Sequence, residues 1–372
     1  MEIDRETEQQ VASKDTTSDS SKRKNGFGCI RPLLYVGLLA IIGAIAFWFY
    51  CIQMPGQSFV EPNDQTEEQT TEAKPELPLA QQLRQYVVHL AETIGERNLD
   101  HYEELCESAD YIQSQLESWN YATSRNKFTC RELECFNIIG EITGSKQPEK
   151  IVIVGGHYDS VRGTPGANDN GSGTAAMLAL AKLFKDSKPA LTLRFVGFTN
   201  EEPPYFQNRG EMGSWVYAEA CRKKNEDIVG VLSLETMGYF TDEPDSQHYP
   251  APLDKFYPST GNFIGFVSNL QSRPLQQRVI KTFREHAKIP SEGASLPDVL
   301  PGVGWSDHWS FWQEGYQGIM VTDTAPFRYP HYHEPTDTPD KIDYERFAKV
   351  VEGLVFVIEE LAEIETSVAD SE

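Results

Sequence analysis

The chain has 372 residues, enough for one large domain or two smaller ones with a sizeable core. It carries 33 basic against 56 acidic side chains, a net charge of −23, and residues 1–52 hold six of each sign, so the whole excess lies beyond them. An acidic surface repels phosphates, which argues against a nucleic-acid partner and leaves solubility as the plainer use of the charge.

Residues 1–30 are polar and without periodicity, which predicts a disordered tail. Lys22, Arg23, Lys24 and Arg31 stand just before Leu33 to Ile52, twenty residues without a charge. That length matches the bilayer core, and Phe47-Trp48-Phe49-Tyr50 lies where an interfacial aromatic belt would. The reading is a single transmembrane helix over 31–52. Positive charge flanks its amino side only, so the tail should be cytoplasmic and the rest extracytoplasmic, periplasmic or extracellular. A buried core helix fits poorly beside a polar tail. A cleaved signal peptide fits poorly because the run is long and no small-x-small site follows it. Residues 53–78 set Pro55, Pro62, Pro75 and Pro78 among Glu, Gln and Thr and read as a stiff acidic linker.

From Leu79 the pattern turns helical, with Leu83, Val87, Val88, Leu90 and Ile94 at helical spacing until Gly95. A second helix covers His101 to Leu116. Lys127 to Cys135 and Phe136 to Ile142 read as two strands. The Ile151-Val152-Ile153-Val154 run is a buried strand that ends in Gly155-Gly156 and delivers His157-Tyr158-Asp159-Ser160. A glycine- and asparagine-rich turn carries Asp169, and a helix follows from Thr174 to Phe184. The strand Leu191 to Phe198 leads directly to Glu201-Glu202. Past Pro203-Pro204, Tyr205 to Met212 reads as a loop over the site, followed by a helix from Trp215 to Lys224. The strand Ile228 to Leu234 delivers Glu235.

Thr241 to Thr260 is rich in proline and tyrosine, and its aromatics point to packing near a site rather than disorder. Then come a strand from Phe263 to Ser268, a helix from Pro274 to His286, a short aromatic helix from Trp309 to Glu314 and a buried strand from Gly318 to Thr322. His331-Tyr332-His333 follows, and a long helix from Tyr344 to Ile364 closes the chain. The expectation is an α/β/α sandwich around a mostly parallel or mixed twisted sheet over residues 79–365, with a disordered tail at 366–372.

Sites in such sheets form outside the carboxyl ends of strands. His157, Asp169, Glu201 and Glu202 can therefore converge there, Glu235 joins them as a ligand candidate at a third strand end, and histidine with carboxylates is a donor set for zinc. Each of these residues alone reads more plainly as a solvated loop side chain; together they read as a metal site. Of the six cysteines, Cys29 and Cys51 belong to the tail and anchor. Cys106 and Cys221 read as core packing. Cys130 and Cys135 are near enough in sequence for a bridge across a turn. No CxxC pair occurs, which argues against a thiolate zinc site.

The motifs stand in a fixed order: HxDS at His157–Ser160, Asn-Asp-Asn-Gly-Ser-Gly from Asn168, Glu201-Glu202, Glu235 before Met237-Gly238, and YHxxxDT from Tyr332. This order resembles the M28 family of co-catalytic zinc exopeptidases, from about Leu79 to Leu361, and is most similar to membrane-anchored bacterial members. The resemblance implies two zinc ions per chain. It makes His157 a ligand of one ion and Glu202 a ligand of the other, with Asp169 bridging them and His333 the last ligand. Glu235 falls where the family usually has Asp. Asp159 orients His157, Glu201 is the general base, and Tyr332 helps hold an oxyanion. Asp307 and His308 match a supporting element, and His331 has no matched role. The implied substrate is a peptide losing its amino-terminal residue.

Glutaminyl cyclases share the fold and much of the ligand pattern while using a single zinc, so metal content separates them. A non-catalytic receptor ectodomain is the third reading; a free base such as Glu201 argues against it. Side-chain preference, aminopeptidase against carboxypeptidase polarity, and oligomeric state stay open at this level.

Overall fold

The computed structural model describes residues 41–43, 46 and 77–364. The expected tails at 1–30 and 366–372, the linker as far as 76 and all but four residues of the expected membrane helix lie outside the described residues; 41–43 and 46 are helical. Among the described residues no helix is long and apolar enough to cross a membrane. The chain divides into Met1–Tyr50 and Cys51–Glu372, and the second unit holds the sheet and every helix from Leu79 on.

Helix α1, Leu79–Val88, buries Leu83, Tyr86 and Val87 and runs on as a π-helical turn, His89–Ile94. Gly95 stops it at φ +96°, a left-handed conformation that costs glycine little. Helix α2, Tyr102–Ser118, buries Leu105, Ala109, Ile112 and Leu116, one stripe at helical spacing. Strands β1, Ala122–Cys130, and β2, Leu133–Ile142, form a hairpin over Arg131-Glu132, both at positive φ as a two-residue turn requires. Then follow β3, Gln147–His157, α3, Gly173–Phe184, β4, Leu191–Phe198, α4, Gly213–Lys223, and β5, Asp227–Glu235. The last third holds β6, Ile264–Ser268, α5, Arg273–His286, β7, Ser291–Ser295, α6, His308–Gln313, β8, Gly318–Thr322, and α7, Tyr344–Leu361.

The eight strands make one mixed sheet in the order β1-β2-β4-β3-β5-β8-β6-β7. Its centre, β4-β3-β5-β8, is parallel, while β2 and β6 run antiparallel to their inner neighbours. Side chains alternate across the sheet. Val152, Val154, Leu193, Phe195, Leu232 and Leu234 face one core with α1, α2, α3, α5 and α7. Ile151, Ile153, Val196, Phe198 and Val231 face the other, with Tyr217 of α4 and Phe311 of α6. The architecture is thus an α/β/α sandwich with unequal covers, and β3, buried on both faces, reads as an unbroken apolar run.

Three expectations change. Strand β1 starts at Ala122, ahead of the expected Lys127, and β7 was not foreseen. Both are edge strands, which need no apolar run. Cys130 and Cys135 are both buried and both free, so the possible bridge is absent.

Candidate metal centre and active site

Strands β4, β3 and β5 lie side by side and parallel, so their carboxyl ends open on one edge. His157 is the last residue of β3 and is fully buried. Gly156 just before it admits close neighbours: a Cβ there would meet Leu234 O at 2.5 Å and Asn170 Nδ2 at 3.2 Å. Glu235 ends β5, and its Oε2 accepts a 2.7 Å hydrogen bond from Ser306 Oγ and lies 3.2 Å from His157 Nε2.

Asp169 sits in the turn between β3 and α3, and that turn is held from two sides. The backbone N–H groups of Asn168 and Asp169 donate to the two carboxylate oxygens of Asp337, at 2.8 and 3.0 Å. The Asn170 carboxamide accepts from Gly173 N and Thr236 N, each at 3.0 Å, and donates to Leu234 O at 2.8 Å. Asp169 itself is presented with Oδ1 3.5 Å from His157 Nε2 and Oδ2 3.1 Å from His333 Nε2. His333, at φ +59°, also lies 3.2 Å from Glu202 Oε2, and the Tyr332 ring stacks on it at 3.9 Å.

Strand β4 ends at Phe198, and Asn200 turns at φ +56°, which leaves Glu201 and Glu202 just beyond the strand. Asp159 fixes them. Its Oδ1 and Oδ2 accept the backbone N–H groups of Glu201 and Glu202, both at 3.2 Å, while Oδ1 lies 3.4 Å from His157 Nδ1. One carboxylate thereby positions an imidazole and both glutamates. Glu202 points to His333, whereas Glu201 Oε2 stays 3.8 Å from His157 Nε2.

The result is two triads that share a residue: His157, Asp169 and Glu235; and Asp169, Glu202 and His333. Within each, the ligand atoms lie within 4.8 Å of one another. The residues fit divalent ions on two grounds. Nitrogen and carboxylate donors are the set zinc takes. His157 Nε2 and Glu202 Oε1 are also buried and make no hydrogen bond, which costs about 1–3 kcal/mol per group unless something else satisfies it. Electrostatics agree: burial pushes the Glu201 carboxyl well above its usual range, with His157 opposing and Glu235 adding, and burial raises Glu202 to about 7. Burial opposes a charged His333, but hydrogen bonds to Asp169 and Glu202 still lift it to about 10. The carboxylates outnumber the cations available to them.

The cavity beside Glu235 and Tyr332 is lined by Tyr249, Leu253 and Tyr257 from the 241–260 segment, with Phe263 and Phe327. That segment packs against the site as its aromatics suggested. Asp307 and His308 are buried near the centre but belong to neither triad; His308 Nε2 donates to Val303 O at 2.8 Å. His331 bonds Thr336 Oγ1 at 2.8 Å and also stands outside both. Sequence reasoning assigned no role to Asp337, although it lies inside the YHxxxDT string. Nor did it single out Arg97, a buried guanidinium that donates to Tyr158 O and Gly166 O beneath the two ligand loops.

The profile of Peptidase family M28 matches residues 137–358. The protein YfbL of Escherichia coli K12 is 32% identical over 287 residues, covering 75% of this chain and 87% of the relative. Leucine aminopeptidase 1 of Arthroderma otae is 27% identical over 276 residues, 69% of this chain and 67% of the relative. Among solved structures, BSAP, a zinc aminopeptidase from Bacillus subtilis, superposes with a TM-score of 0.63 at 16% identity over 79% of this chain and 98% of that one. A glutaminyl cyclase from Fimbriiglobus ruber gives 0.55 at 21% identity over 78% and 99%. Fold, site and relatives together define a metallo-exopeptidase. The chain belongs to Peptidase family M28.

Proposed function

We propose that this chain is a zinc aminopeptidase with two ions per chain, carried on the outer side of a membrane by a single amino-terminal helix. The observation that carries the two-ion reading is Asp169, whose two oxygens face the histidines of separate triads. His157, Asp169 and Glu235 would hold one ion, and Asp169, Glu202 and His333 the other. Bound zinc polarises a peptide carbonyl and lowers the pKa of a water. Everything else falls to the chain's own residues. Glu201, buried beside the triads and bound to neither, takes a proton from the attacking water and returns it to the leaving amine. Tyr332, at the cavity wall and stacked on His333, offers its O–H to the developing oxyanion. Asp159 keeps His157 and the Glu201-Glu202 backbone in register.

The anchoring rests on the uncharged run Leu33 to Ile52 and its one-sided basic flank. A glutaminyl-cyclase-like reaction on one zinc is the second reading, favoured by the shared fold. Metal analysis of the purified full chain, with a screen of free-amine and amino-blocked peptides, decides between them. Two zinc ions and cleavage confined to free-amine peptides are expected. One zinc, with cyclisation of glutaminyl peptides and no cleavage, would make it a cyclase; metal without turnover on any peptide would make it a binder.

A further inference from the structure

Arg97 is fully buried, and its guanidinium is spent on neutral acceptors. Nε donates to Tyr158 O at 2.5 Å. Nη1 donates to Pro165 O at 2.5 Å and Gly95 O at 3.2 Å, and Nη2 to Gly166 O at 2.7 Å. Its own backbone joins the same loop: Arg97 N donates to Ser160 Oγ at 3.2 Å, and Ser160 N to Arg97 O at 3.0 Å. Among the described residues none of its hydrogen bonds goes to a carboxylate. Apart from Gly95, two residues back on its own segment, the acceptors fall in two places. Tyr158 lies between His157 and Asp159. Gly166, at φ +59°, enters the turn that carries Asp169, and its carbonyl also accepts from Gly171 N at 3.0 Å. Glycines make room: a Cβ on Gly166 would stand 3.2 Å from Arg97 Nη2, and one on Gly171 3.5 Å.

We propose that Arg97 is a positioning residue for the metal centre, tying the loop of His157 and Asp159 to the turn of Asp169 so that the ligands stand at their spacing before any ion arrives. This rests on the reading that those residues hold metal. The tie needs a planar fork. Three nitrogens reach carbonyls on two separate loops, whereas a lysine ammonium is one point with three donors and cannot span both. The charge serves as well. Burial lowers the guanidinium to about 10, with Asp159, Asp337, Asp169 and Glu202 opposing, so it stays cationic at neutral pH under the carboxylates it faces. A buried cation without a carboxylate partner is a poor device for stability alone. Here it offsets the repulsion of an anion-rich site while that site waits for its ions.

The test is zinc affinity of the full chain, read by competition with a chromophoric chelator, alongside the melting of the metal-free form. The variants are Arg97→Lys and Ser160→Ala, which removes the bond from Arg97 N and the one Ser160 Oγ donates to Thr164 O at 3.1 Å. The control is Arg284→Lys, since Arg284 is also buried but donates to Ser291 Oγ and O on the remote edge strand β7. Expected for Arg97→Lys is a loss of about 10- to 100-fold in zinc affinity, the scale for losing an outer support of a metal ligand. Ser160→Ala, which leaves the guanidinium in place, should lose less in the same direction, and Arg284→Lys nothing, even where its melting falls as far. Wild-type affinity in both Arg97→Lys and Ser160→Ala, or an equal loss in Arg284→Lys, overturns the proposal. If Arg97→Lys does not fold, Ser160→Ala alone decides. A wild-type chain that takes up no zinc fails at the first titration, and then the metal assignment itself falls and this one with it.

Discussion

Glu201 and Glu202 are neighbours of one chemical type placed in opposite employment. Asp159 holds both backbones, but only Glu202 reaches His333, while Glu201 belongs to neither triad and its Oε2 lies 3.8 Å from His157 Nε2. Glu201→Gln should therefore retain its metal and substrate affinity while hydrolysis falls by roughly 10²-fold or more, the scale of a lost general base. Glu202→Gln should lose metal, and activity with it. Metal content and turnover of the two variants check this; reversed phenotypes exchange the roles. His308 supplies a pH signature. Burial drives it down to about 4, so between the unfolded value near 6.5 and pH 4 only the unfolded chain takes the proton. Stability from this group is complete above about pH 6.5 and is lost on acidification, by about 3 kcal/mol at pH 4. Burial holds Asp307 up at about 7, with the opposite sign, so the prediction concerns a difference. The stability gap between wild type and His308→Gln, from urea melts, should shrink as pH falls from 7 to 4. The residues of the two triads were legible in two ways: His157 and Glu235 as a histidine and an acid at strand ends, a short alphabet, and His333 only through the order of motifs it shares with a known family. Arg97 and Asp337 were not, because they act on backbone groups, and those leave no trace in residue type.

At the scale of elements, glycines decide how closely strands and turns approach. A Cβ on Gly156 would press on Leu234 O of the adjacent strand, a backbone atom that cannot swing away. On Gly230, also in β5, the nearest atom is the tip of Leu275 at 3.3 Å, a side chain that can give. Gly156→Ala should cost about 1–3 kcal/mol, as overpacking does, and Gly230→Ala less than about 1. Denaturant melts of the two variants would expose the error if they came out alike. The same contrast governs legibility. Strand β3 is buried on both faces and shows in the sequence as Ile-Val-Ile-Val. Strand β1 alternates exposed and half-buried residues, and its first half, Ala122 to Asn126, has no apolar run to find. Strand β7, Ser-Glu-Gly-Ala-Ser, hides for the same reason, since an edge needs only one covered face.

For the whole molecule, orientation is the open expectation. If residues 31–52 span a membrane with the basic flank inside, protease added to intact cells or spheroplasts should cut within 53–78 and spare 1–30. Cleavage of the tail with a protected linker reverses the orientation. The layering was legible from the succession of strands and helices, but the unequal cover, with five of the described helices on one face and two on the other, was not, because a helical stripe does not say which face of a sheet it meets. The adjacency of β4, β3 and β5 carries one more consequence. Neighbouring strands stand about 4.8 Å apart wherever a sheet is made. The sheet sets the separation of His157 and Glu235, which end β3 and β5, while Asp169, Glu202 and His333 stand on turns and loops beyond the strands. Glu235 is free to be a methylene longer than aspartate because Ser306 pins its far end. His157 and Glu235 keep their separation until the sheet itself melts, whereas Asp169 and His333 move with the turns that carry them, so a softened loop opens the triads before the sheet gives way.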